Sequence, residues 1–231
     1  LTSRDIILIN QIIGFVSFQA RAIAAFHAAL GYPVRWIPGM PQQEDAPEAL
    51  FVARESDWQP GLDDADLRYA DDERQSLIAN WRKHPGLSEL APLLAAQEPP
   101  LALQEQLLTH LSDRQPFAAQ VALIAARING SISCFNAWAS RCPDLADLTD
   151  ALRGNESGVQ PWGDNPSMER QLLQSVQLLT RAPDRFSADQ LTPLTDYGLS
   201  RSAAIDLLAW CGLCGWMNRL KIALGNVRQE T

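Results

Sequence analysis

The stretch INGSISCFNAW, residues 128–138, predicts where one helix ends and the next begins. Asn129 and Gly130 both tolerate left-handed backbone geometry, so they favour a helix stop. Ser131 belongs to the residue types that cap helices, which would put Cys134 in the first turn of the following helix. The unpaired N–H groups and the dipole of a helix start favour the thiolate, which is the nucleophilic form of cysteine.

Helical patterns continue on both sides of this stretch, and no segment shows sustained period-two alternation. The first helix is expected to be apolar on nearly every side, as a core helix is. Segments 38–66 and 154–166, rich in Pro, Gly, Asn and acidic residues, predict a long surface excursion and a loop. The chain is therefore predicted to be all-α, with helices near 3–30, 67–83, 87–97, 101–112, 116–129, 131–141, 144–152, 167–181, 187–197 and 200–224.

An internal repeat supports this interpretation. Leu1 to Gly14 and Leu199 to Gly212 have the same 13-residue spacing, and each opens with Leu followed by hydroxyl and Arg residues. Continuing the two registers aligns Ser17-Phe18 with Gly215-Trp216 and Arg21 with Arg219. Short helical repeats that share one core often arise by duplication.

Residues 129–138 resemble the N-G-C-x-x-C-x-x-x-H motif of the alkyl hydroperoxidase D-like (AhpD-like) carboxymuconolactone decarboxylase family. Residues 12–21 and 215–225 are similar to the leading repeat and the terminal helix of its two-part, YciW-like, peroxidase-related branch. The resemblance implies an AhpD-like helical fold with duplicated halves. These would be residues 1–98, with the long loop 38–66, and residues 99–231, with the degenerate motif.

The motif departs from the family pattern at three positions. The resemblance implies that Cys134 is the attacking thiol, but Ser131 replaces the resolving cysteine and Trp138 replaces the histidine. Ala119 stands where the family has a proton-relaying glutamate. Ser131 could orient a peroxide or act as a simple cap. His110 is the candidate for a displaced proton acceptor, because folding could return its helix to Cys134.

The other cysteines have simpler interpretations. Cys142 lies about two helical turns after Cys134 and is a weak candidate for a resolving thiol. Cys211 and Cys214 form a C-x-x-C pair that the repeat places mid-helix, which favours core packing. A metal site there would need two further ligands, so no metal is predicted. Cys134 itself could be only a small buried side chain. No cofactor-binding motif is found.

Charge and hydropathy exclude some partners. A net charge of −8 argues against nucleic acid, since phosphate binding needs a basic face. The apolar run 6–26 contains Asn10, Gln11, Gln19 and Arg21, which argues against a membrane span. Four cysteines without framework spacing fit a reducing compartment, so a cytoplasmic location is expected.

Two functions remain open from the sequence. The first is a one-cysteine, peroxidase-like oxidoreductase that acts at Cys134 on a small hydroperoxide or a thiol/disulfide substrate, with an external thiol as resolver. The alternative is a catalytically degenerate binding or assembly module of the same fold. The resemblance and the excess of apolar helix surface also predict a homo-oligomer, either a dimer or a trimer.

Overall fold

A computed structural model describes residues 1–33, 44–63, 70–85, 87–95, 98–111, 116–154 and 167–228. The structure is 74% helix, with ten helices and one two-stranded sheet in the described ranges, so the all-α prediction is confirmed. The helices are α1 (Ser3–Ala29), α2 (Asp72–Trp81), α3 (Leu90–Leu94), α4 (Glu98–Leu111), α5 (Ala118–Asn129), α6 (Ile132–Arg141), α7 (Ala146–Gly154), α8 (Met168–Arg181), α9 (Ala188–Asp196) and α10 (Arg201–Leu224). The strands are β1 (Asp57–Pro60) and β2 (Gly225–Arg228).

Local sequence signals set the helix ends. At the start of α1, the Thr2 hydroxyl accepts a hydrogen bond from the Asp5 N–H at 3.2 Å. The Asp5 carboxylate accepts one from the Thr2 N–H at 2.8 Å. This capping box satisfies two N–H groups that would otherwise lack partners. At the other predicted boundary, Gly130 ends α5 with φ of 84°, in the left-handed region that the sequence predicted.

Helices α1 and α10 pack against each other in opposite directions through their glycines. A Cβ on Gly14 would collide with the indole of Trp216. A Cβ on Gly212 would lie 3.3 Å from the ring of Phe18. These contacts are reciprocal under the repeat alignment, which pairs Gly14 with Gly212 and Phe18 with Trp216. The pattern is what two helices related by a two-fold axis would give, while the duplication of whole halves stays a prediction.

The same reciprocity extends to two arginines. Arg21 Nη1 donates to the backbone oxygen of Ser17 at 3.0 Å. Arg219 Nη1 donates to the backbone oxygen of Gly215 at 3.3 Å. Burial and the charge of Arg219 lower the pKa of Arg21 to about 10. The two guanidinium groups therefore lie close together where the helices cross.

The buried apolar side chains form one continuous core. It includes residues from both proposed halves, and α5 packs within it against α10, α6 and α8. Trp81 and Phe135 are among its largest fully buried side chains. Both segments, 1–98 and 99–231, contribute to this single core. The boundary between them stays a prediction.

Part of the segment 38–66 does not lie on the surface as expected. Phe51 is fully buried and Trp58 is 5% exposed. Strand β1 pairs antiparallel with β2, with Trp58 opposite Val227. The Trp58 indole also donates to the backbone oxygen of Lys221 at 2.8 Å. The prediction of a surface excursion is wrong for these residues, because two large aromatic side chains anchor the segment to the core.

Some sequence predictions fall outside the described residues. These include positions 38–43 and 64–66 of the long segment and nearly all of the loop 154–166. Gly154 is described and is the last residue of α7.

The expectation that α1 is buried on nearly every side is wrong. Gln11, Gly14 and Arg21 face the core, whereas Ile12, Val16 and other apolar residues on the opposite face are exposed. Among the described helices, α1 is long and apolar enough to cross a membrane by length and composition alone, with 22% of its most apolar window buried. That test does not separate a spanning helix from a helix packed on a protein core.

Candidate functional site

Cys134 lies where the sequence placed it, in the first turn of α6. Its side chain is 4% exposed and its thiol is free. Gly130 ends α5 immediately before this helix, so the tight turn between α5 and α6 brings the cysteine into the core. The position is therefore a buried helix start, which combines a favourable dipole with an unfavourable loss of water.

A small cavity lies against Cys134. Its volume is about 20 Å³, which is room for one water-sized molecule. The indoles of Trp138 and Trp210 form part of its wall, with ring centroids 6.0 Å apart in an edge-to-face arrangement. The lining residues come from several separate parts of the chain: His84, Pro85, Leu87, Leu108, Ala122, Cys134, Trp138, Trp210, Cys214, Met217 and Asn218.

Cys214 brings a second thiol to the cavity. It is free and 5% exposed, and it lies on α10, whereas Cys134 lies on α6. Burial raises the pKa of Cys214 well above its ordinary value of 9.0, and the charges of Cys211 and Cys134 raise it further. The prediction of core packing is confirmed for Cys214, but its position beside Cys134 was missed because the repeat alignment compares sequence positions and not the contacts between helices.

The expected thiolate at Cys134 is wrong. Burial raises the pKa of this thiol above its ordinary value of 9.0, although neighbouring hydroxyls and the positive charge of Lys221 oppose the rise. The helix start does not outweigh the loss of water around a fully buried group. The resting site therefore holds a neutral thiol at neutral pH.

Ser131 is placed as predicted but does not act as predicted. It is the residue before α6, yet its side chain makes no capping hydrogen bond. Its Oγ atom is buried and has no hydrogen-bond partner of normal geometry within the described residues. It lies close enough to Cys134 to lower the pKa of the thiol. Its hydroxyl therefore lies against the sulfur, but Ser131 is not among the residues that line the cavity.

The structure does not bring His110 to the cavity. This histidine is exposed in the last turn of α4, so its predicted role as a displaced proton acceptor has no geometric support. His84 lines the cavity instead and is half-buried. It lies in the turn that follows α2, where its backbone N–H donates to the backbone oxygen of Trp81 at 3.0 Å. Nothing in the sequence around His84 indicates contact with residue 134, so sequence reasoning had no ground to prefer it.

The remaining predicted residues lie away from the cavity. Cys142 is half-buried just after α6, and Cys211 is buried 3.4 Å from the Thr180 hydroxyl. Trp216 is packed between α1 and α10, where its indole donates to Gln11 Oε1 at 3.0 Å. Within the described ranges, no group of three His, Cys, Asp or Glu side chains is arranged to hold a metal ion.

A buried charge lies behind the start of α6. Lys221 is 2% exposed, its ammonium donates to Glu89 at 2.8 Å, and it lies 3.9 Å from the ring centre of Trp58. Burial opposes ionisation of Glu89, but the hydrogen bond and charge of Lys221 outweigh it and lower the pKa of the carboxyl. The positive charge of Lys221 lowers the pKa of Cys134 and the negative charge of Glu89 opposes it, and the sequence pattern indicated neither residue.

No family model, no curated protein and no solved structure matches the chain. The AhpD-like resemblance is therefore carried by the sequence motif alone and stays a prediction, while the structure shows an all-α fold.

Proposed function

We propose that this protein is an AhpD-like thiol oxidoreductase that reduces a small hydroperoxide at Cys134 and uses Cys214 as its resolving thiol. The observation that supports the proposal is that both thiols line one small cavity. The resolving thiol would then belong to the protein itself, in place of the external thiol expected from the sequence. An external dithiol is then needed only to reduce the protein afterwards.

The proposed chemistry has three steps. The Cys134 sulfur attacks one peroxide oxygen, so that an S–O bond forms, the O–O bond breaks and an alcohol or water leaves with the thiol proton. Cys214 then attacks the resulting sulfenic acid, forming an S–S bond and releasing water. Finally a small or protein dithiol reduces the disulfide by exchange and is itself oxidised to a disulfide.

The shape of the cavity limits the substrate. A volume of about 20 Å³ suits hydrogen peroxide better than a bulky organic hydroperoxide. His84 lies on the same cavity, and histidine is the side chain that most readily exchanges a proton near neutral pH.

Burial of both thiols favours a slow enzyme. A neutral thiol is a poor nucleophile, and the raised pKa of Cys134 keeps the thiolate fraction small at neutral pH. The same observation favours the second candidate function, a binding or assembly module without redox activity. The two candidates differ in whether Cys134 is oxidised in the folded protein.

The decisive experiment is peroxide consumption with excess dithiol, combined with mass spectrometry of the cysteine products. Parent protein treated with peroxide should contain a Cys134–Cys214 disulfide. Cys214→Ser should instead accumulate sulfenic acid at Cys134, which dimedone traps, and Cys134→Ser should abolish turnover. Cys142→Ser is the matched control and should behave as the parent. If Cys134 remains a thiol in the folded protein while the unfolded chain is oxidised, the redox proposal fails. The second candidate function, a binding or assembly module, is then the one that remains.

A further inference from the structure

Helix α1 carries an apolar stripe on its outer face, interrupted by the exposed Gln19 and His27. At 100° per residue, its exposed apolar side chains fall within one arc about 140° wide, directly opposite the face that packs on α10. Each is between 40% and 63% exposed. We define this stripe by eight residues: Leu8, Ile9, Ile12, Ile13, Val16, Ile23, Phe26 and Leu30.

We propose that this stripe is the interface through which two copies of the chain form a homodimer. Ile9, Val16, Ile23 and Leu30 recur at seven-residue intervals, which is the spacing that lets one helix pack along a second helix. Ile12 and Phe26 lie in the same arc between these positions and widen the stripe. The proposal is independent of the redox function, since it rests on α1 and not on the cysteine cavity.

The area of the stripe agrees with a stable dimer. Half-exposed side chains of this size leave roughly 90 Å² each open to water, so the stripe amounts to on the order of 700 Å² per protomer. Stable protein interfaces bury about 800 Å² per partner. Large contiguous apolar patches of this kind are uncommon on monomeric soluble proteins.

The charges favour a second copy over a membrane surface. Helices that lie on membranes carry Lys and Arg beside their apolar face. Helix α1 contains no lysine; of its two arginines, Arg21 is buried against the core, and the exposed Arg4 lies in the first turn outside the arc of the stripe.

Sedimentation equilibrium at micromolar concentration tests the proposal with one matched pair of variants. Ile23→Glu introduces a carboxylate in the stripe, and Ile222→Glu introduces one at an equally exposed site on α10, the two isoleucines being 50% and 49% exposed. The parent and Ile222→Glu should be dimers. Ile23→Glu should weaken dimerisation at least about 100-fold, because a two-fold interface contains the change twice.

Three outcomes would overturn the proposal. One is a parent protein that sediments as a monomer of 25.5 kDa. Another is a dimer that Ile23→Glu leaves unchanged while circular dichroism shows both variants folded. The third is a monomer that co-sediments with phosphatidylcholine vesicles through α1, since that result would assign the stripe to a lipid surface.

Discussion

Cys134 and Cys214 line the same cavity although 80 positions separate them in the sequence. One lies in the first turn of α6 and the other in the middle of α10. Packing of α5 between these elements brings them together. In the AhpD-like motif that residues 129–138 resemble, the two cysteines are three positions apart. Here the second thiol at the cavity comes from a different helix, and Ser131 stands at the other cysteine position of the motif.

The buried thiols should make stability depend on pH on the alkaline side. The pKa values of Cys134, Cys211 and Cys214 all lie above 9.0 in the folded protein, with burial as the main cause. Above pH 9 the unfolded chain therefore releases protons that the folded protein retains. The free energy of unfolding should be unaffected by these groups below that pH and should fall above it.

The size of this effect is measurable by urea titration at increasing pH. Each such thiol contributes a slope of up to about 1.4 kcal/mol per pH unit. Cys214→Ala removes one titrating group, so its unfolding free energy should fall less steeply than that of the parent. Equal slopes for the two proteins between pH 9 and 10.5 would show that the Cys214 thiol is not shielded from water.

The histidine at the cavity should influence turnover more than the histidine that the sequence favoured. If the proposed redox function holds, His84→Gln should lower peroxide consumption by about 10²-fold, a typical contribution of a positioned base. His110→Gln changes an exposed side chain and should leave the rate unchanged. Equal rates for the parent and both variants would exclude His84 from proton transfer.

The close approach of α1 and α10 should make Gly14 intolerant of any side chain. Gly14→Ala puts a methyl group into the indole of the buried Trp216, which we expect to cost about 1–3 kcal/mol of unfolding free energy. Gly154→Ala is the matched control, because a Cβ there has no neighbour within 4 Å in the described structure. It should change stability by less than about 1 kcal/mol, towards the more stable side. Thermal denaturation distinguishes the two, and similar melting temperatures would contradict the proposed contact.

The stability of the protein should depend on the pairing of the buried Lys221 ammonium with Glu89. Glu89→Gln keeps the shape but removes the charge that neutralises a side chain 1% exposed, and we expect it to cost about 2 kcal/mol or more. The control is Asp150→Asn, which weakens the exposed pair with Arg54 and should cost less than about 1 kcal/mol. The pKa of Glu89 lies below 4.5, so its contribution is complete above that pH and is lost as the pH falls further. If chemical denaturation gives the same loss of unfolding free energy for Glu89→Gln and Asp150→Asn, Lys221 does not require the Glu89 carboxylate.

Sequence reasoning succeeded where the structure follows from neighbouring residues. The capping box at Thr2 and Asp5, the left-handed Gly130 and the first-turn position of Cys134 are all local. It failed where a property depends on which groups surround a side chain. The pKa of Cys134 is an example, because the helix start alone favours the thiolate and only the surrounding core reverses that preference.

The sequence by itself determined the helical class, most helix boundaries and the cysteine at the start of α6, because hydrophobic periodicity and capping residues act over a few positions. The tertiary structure alone decided that Cys214 and His84 share the cavity of Cys134 and that His110 does not. It also decided that one face of α1 is covered by α10 while the other is exposed. Contacts between distant segments depend on how the helices cross, and the periodicity of an individual helix does not specify that crossing.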